Sequence, residues 1–135
     1  PLHQDAHEAL AADDLPGAVS AWEAALADSP ADAVAQQGLS AARLMLRTRD
    51  ADAAAVRAAA ADGPDDVAAQ LAVADLDVLG GHVEDAFARL VRFIALHPGD
   101  DRETARAHLV DLYTVVGTDD PRVQASRRRL AAALF

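Results

Sequence analysis

The chain has 135 residues, a length suited to one domain; more than half of them are hydrophobic, with alanine prominent and only five aromatics. Its formal net charge of −10 repels a phosphate backbone, and no basic groove with interleaved aromatics is present, so nucleic acid is excluded as a partner. The absence of cysteine excludes disulfides, thiolate metal sites and thiol redox chemistry, and no apolar run is long enough to span a bilayer as a helix.

A core made mostly of Ala, Leu and Val needs elements that approach closely, and alanine is the best helix former. β-branched residues and turn dipeptides are too sparse for an all-β chain. The pattern predicts eight helices, near 3–13, 17–28, 32–46, 51–61, 66–79, 83–96, 101–116 and 121–134. Between the fifth and sixth, Gly80-Gly81-His82 reads as a chain reversal; it lacks the spacing, the lysine and the preceding strand of a phosphate loop. Asp100 with Glu103 has the spacing of a capping box at the seventh helix, and Gly117 reads as its C-terminal stop. Asp120-Pro121 reads as an N-cap followed by a first-turn proline.

Pro30, Pro64 and Pro98 stand 34 residues apart. Other columns keep the same register: Trp22, Val56 and Leu90; Ala25, Ala59 and Phe93; Leu26, Ala60 and Ile94; Leu39 with Val73; Ala18 with Ala86. Small residues let the two helices of a hairpin touch, larger ones fill the groove to the next hairpin, and proline ends the second helix. Three positions break the pattern. Asp5 falls where a large apolar residue is usual, Asp52 takes a small-residue position, and Arg49 replaces the apolar residue seen as Leu15 and Val83. The second repeat is therefore degenerate, and its second helix, with Val56 as the one large side chain, is expected to be the most thinly packed. This register resembles the tetratricopeptide repeat, which implies an all-α, right-handed superhelix of about four antiparallel helix hairpins. The whole chain, 1–135, reads as one such domain, with repeats near 1–30, 31–64 and 65–98 and a terminal hairpin at 99–135.

Candidate chemistry is sparse. His3 and His7 stand one helical turn apart, a spacing that clamps a metal ion only with further ligands; otherwise they are a solvent-facing or groove-lining pair. The paired carboxylates Asp13-Asp14, Asp65-Asp66, Asp100-Asp101 and Asp119-Asp120 fall at helix starts and turns, where capping accounts for them better than a hydrolytic pocket does. No nucleophile elbow is present, so neither an enzyme nor a cofactor is expected. Arg127-Arg128-Arg129 is the only basic cluster; it reads either as helix-end cations facing acidic turns or as a docking patch for an acidic protein surface.

In tetratricopeptide arrays the first helix of each hairpin lines a concave face. By register, the resemblance places His3, His7 and Leu10, then Gln37, Ala41, Leu44 and Met45, then Leu71, Asp75, Val78 and Leu79 along it. The Lys, Asn and Arg clamp of domains that hold the acidic tails of large chaperones is missing. The expected surface is mildly apolar and suited to apolar segments of a partner, although Met45 and the leucines serve equally well as inter-helix packing.

The segments QLAVADLDVLGGHVEDAFARL and VVGTDDPRVQASRRRLAAALF, within a longer run from HPGDDRETARAHLVDLY to the end, resemble the C-terminal part of the thioredoxin-like co-chaperones, or chaperedoxins. The resemblance implies a cytoplasmic module that binds unfolded client proteins and hands them to a chaperonin or Hsp70 system. It also implies a thioredoxin-fold domain N-terminal to this one in the full-length protein. It assigns chaperonin docking to the last helix, which here carries Arg127, Arg128, Arg129, Leu134 and Phe135. The alternative is a passive scaffold or self-association domain that positions a neighbouring domain.

Overall fold

The computed structural model describes residues 1–135 and is all-helical, with no strand. In chain order the helices are α1 (Leu2–Ala11), α2 (Leu15–Asp28), α3 (Ala33–Thr48), α4 (Ala53–Asp62), α5 (Val67–Leu79), α6 (Val83–Leu96), α7 (Asp100–Val116) and α8 (Pro121–Leu134).

Local chemistry sets the boundaries. Helices α2, α4 and α6 each end two residues before Pro30, Pro64 and Pro98. The residue between helix and proline is Ser29, Gly63 or His97, with ψ of 91°, 70° and 87°, outside the α region that a following proline disfavours. At the starts, the side chains of Asp14, Asp32, Asp52 and Asp66 each accept the backbone N–H three residues on, and Asp120 accepts that of Arg122. The Arg122 guanidinium and backbone N–H beside Asp120 lower its pKa to about 2.

Helix α7 departs from expectation. The capping box between Asp100 and Glu103 is not formed: α7 starts one residue earlier, at Asp100, because Gly99 takes φ 95° and becomes the N-cap. Asp100, Asp101 and Glu103 then fill the first turn, where negative charge favours the helix dipole. Gly117, at φ 120°, ends α7 as expected.

The helices gather into two compact units, residues 1–50 and 51–135. The division falls in the turn between α3 and α4, inside the degenerate repeat. Leu15 and Val83 open α2 and α6 as buried residues, whereas their counterpart Arg49 is exposed just past the end of α3. Asp52 does not sit inside a helix in the place of a small residue; it caps α4, which starts a full turn later than the register puts it.

In the first unit, α2 packs against α1 and α3 around Trp22, with Ala6, Ala18, Ala25, Ala35, Leu39 and Ala42. In the second unit, α6 is central and packs on α5, α7 and α8. Phe87, Leu90, Phe93 and Ile94 of α6 are buried, as are Leu109, Leu112 and Tyr113 of α7 and Val123 of α8, while Val73 of α5 joins Ala60 and Ala69 in a separate small cluster. Phe87 and Tyr113 pack edge-on, ring centroids 4.9 Å apart, and the Tyr113 hydroxyl lies 2.5 Å from Ser126 Oγ. Helix α4 buries Ala60 alone, with Val56 half-buried, and so is thinly packed as the sequence implies. One polar side chain holds its end instead: Gln70 Nε2 donates to the carbonyls of Ala60 and Gly63.

Candidate protein-binding site

On α5, Leu71, Asp75, Val78 and Leu79 follow the i, i+4, i+7, i+8 spacing of one helix face. Leu71 and Val78 are half-buried, and Leu79 is 48% exposed. A carboxylate in the middle of this stripe would hydrate it. Asp75 is buried, however, and accepts a hydrogen bond from His108 Nε2 of α7 at 2.7 Å. The carboxylate is thus buried and paired, and an apolar strip with Leu79 as its open end is left at the surface. His108 is the residue here that sequence reasoning missed. Its signal was its separation from Asp75, 33 residues, close to one repeat.

In the first unit, the predicted residues fall in different environments. His7 is exposed and meets the Trp22 ring edge-on at 5.5 Å between centroids. Leu10 is half-buried against the Trp22 cluster. Gln37 is exposed, and Met45 is 40% exposed. Leu44 is fully buried, so it is a packing residue and not one that a partner reaches.

The histidine pair has its own structural employment. His3 and His7 both pack on Trp22, and His3 Nε2 donates to Asp32 Oδ2 at 2.5 Å. The hydrogen bond from the Ala35 N–H, followed by that from His3, holds the Asp32 carboxyl below the usual aspartate range. No group of three or more His, Asp or Glu side chains converges as a metal site would require.

Helix α8 has two sides. Val123, Ser126 and Leu130 are buried, while Arg127, Arg128 and Arg129 are all exposed. Arg127 also lies over the Tyr113 ring, 5.0 Å from its centroid. Leu134 is half-buried and Phe135 fully exposed. No helix is long and apolar enough to cross a membrane.

Repeated helix hairpins, prolines closing each second helix and an apolar strip on a first helix define a tetratricopeptide architecture. A tetratricopeptide repeat family profile matches residues 46–135, and the chain belongs to that family. Such domains generally mediate protein–protein interaction and are typically non-catalytic. Uncharacterized proteins of Mycobacterium tuberculosis and Mycobacterium bovis are each 30% identical to it over 137 aligned positions. Those alignments cover all of this chain, which spans only 44% of the length of each relative. No solved structure matches the chain.

Proposed function

We propose that this chain is the protein-binding module of a cytoplasmic, thioredoxin-like co-chaperone, without catalytic activity of its own. It holds non-native client proteins and docks to chaperone or chaperonin machinery. One observation carries the client-binding half of this reading: the α5 strip of Leu71, Val78 and Leu79, whose one carboxylate is turned down onto His108. An unfolded chain offers apolar side chains without fixed geometry, and a shallow apolar strip accepts them by area and not by shape. The docking half rests on the C-terminal resemblance and on the arginines and Phe135 that α8 leaves exposed. The proposal places a thioredoxin-fold domain in the remainder of the full-length protein.

The test is suppression of aggregation of a heat-unfolded client by this chain. The proposal expects suppression that is lost in a Leu71→Ser/Leu79→Ser double variant, and chaperonin binding that is lost when Arg127, Arg128 and Arg129 become alanine together with Phe135→Ala. Deleting α8 would not serve, because Val123 and Leu130 belong to the core. No suppression by the unmodified chain, or a tight dimer in sedimentation that covers α5, would favour a self-association module instead.

A further inference from the structure

A second surface lies on the side of α6 that faces α4. The register explains its origin: where the third repeat carries Phe93 and Ile94, the second carries Ala59 and Ala60, so α4 cannot fill the space beside α6. The result is an open cleft of about 500 Å³ with Ala60, Ala61 and Pro64 on one wall and α6 on the other. Its charges are uneven. Arg92 is exposed and forms no ion pair or hydrogen bond. Arg89 gives one guanidinium N–H to Gln70 Oε1 at 2.6 Å, leaving the rest of its fork available. His97 closes one end, with Nε2 on Asp65 Oδ1 at 2.8 Å, and Asp65 is the only carboxylate in the lining. Beside these cations stands Leu96, an apolar side chain 63% exposed. A second recess, sharing Ala88 and Arg89, lies toward Arg57, which is itself paired with Asp77 at 2.8 Å, and toward His82 and Asp85.

We propose that this cleft is a second binding site, distinct from the α5 strip, for a peptide segment of a partner protein that carries a carboxylate next to a large apolar side chain. The carboxylate meets Arg92 and the free part of the Arg89 fork, a planar pairing that arginine favours. The apolar side chain covers Leu96 against the alanine wall. Charge selects this occupant: two arginines with one lacking a partner are concentrated here in a chain whose net charge is −10. The cleft is open rather than enclosed, which suits a peptide segment better than a small molecule that must be buried on most sides.

The experiment uses the whole chain and a fluorescein-labelled octapeptide with two adjacent aspartates followed by leucine and phenylalanine, read by anisotropy. Saturable binding is expected, weakened about tenfold or more by Arg92→Glu. Because Arg92 has no partner to lose, the variant should melt with the parent. Ala61→Phe, which fills the cleft from an exposed position, should weaken binding similarly, whereas Leu71→Ser/Leu79→Ser should leave it unchanged. Absence of binding by the parent chain, equal binding of a peptide with asparagine in place of aspartate, or binding indifferent to Arg92→Glu in a folded variant would overturn the proposal.

Discussion

Trp22 lies so close over Gly38 that a methyl group at Gly38 would stand 2.3 Å from indole Cε2. The ring is 2% exposed, and its Nε1–H, also facing Gly38, has no hydrogen-bond acceptor. Helix α3 thus reaches α2 through a residue without a side chain, and the tryptophan has no room to retreat. Gly38→Ala gains about 1 kcal/mol of helix propensity. Overpacking costs about 1–3 kcal/mol and is expected to win here. The expected outcome is a lower urea midpoint together with a changed Trp22 emission. Increased stability with unchanged emission would show a looser contact between Trp22 and Gly38.

Asp52 stands at a small-residue position of the repeat and at the N-cap of α4. By pattern, Asp52→Ala restores the small residue of that column and should stabilise. In the structure Asp52 Oδ1 accepts the Ala55 N–H at 3.2 Å and caps α4, a helix with little other support. Loss of the cap is expected to cost about 1 kcal/mol. Hydrogen exchange should show the loss first in the amides of α4.

His97 points to a pH dependence. Its Nδ1 lies 2.8 Å from the Phe93 carbonyl and its Nε2 2.8 Å from Asp65, both acceptors, so only the protonated ring can donate to both at once. The Asp65 hydrogen bond, then that to the Phe93 carbonyl, raises the His97 pKa above its usual 6.5. The stabilisation is therefore complete below the unfolded pKa and is lost as pH rises through the raised folded value. Urea midpoints measured from about pH 5.5 to 8.5 should fall over that upper range in the parent chain and stay flatter in His97→Gln.

Helix α8 carries structure on one side and the proposed docking surface on the other, and substitutions should separate the two. Leu130→Ala opens a cavity beside buried Val123 and Ser126 and is expected to cost about 2–4 kcal/mol in a denaturant titration. Alanine at Arg127, Arg128 and Arg129 should cost far less. Those side chains are exposed, and the stacking of Arg127 on Tyr113 is their only packing contribution among the contacts described.

Much of the fold was legible because its signals are local. Pro30, Pro64 and Pro98 stop helices through the backbone of the preceding residue, and Asp120-Pro121 starts one through adjacent groups. The start of α7 was misread because Gly99 adopts a positive φ that the spacing of Asp100 and Glu103 does not reveal. The candidate site was legible only as a helix face. Periodicity places Leu44 and Asp75 in line with Met45, Leu71 and Val78, but spacing along one helix shows neither the burial of Leu44 nor the pairing of Asp75 with His108 of α7. The cleft beside α6 has its trace in the alanines of α4, which read as thin packing and not as a vacancy with a charged wall.

The central claim, that the α5 strip binds non-native polypeptide, is tested most directly by mapping amide chemical-shift changes on titration with a permanently unfolded protein such as a reduced and carboxymethylated client. The account predicts changes around Leu71, Val78 and Leu79 and at His108, the partner of Asp75, with loss of the response in Leu71→Ser/Leu79→Ser. A response that avoids α5, or one that survives the double substitution, would contradict it.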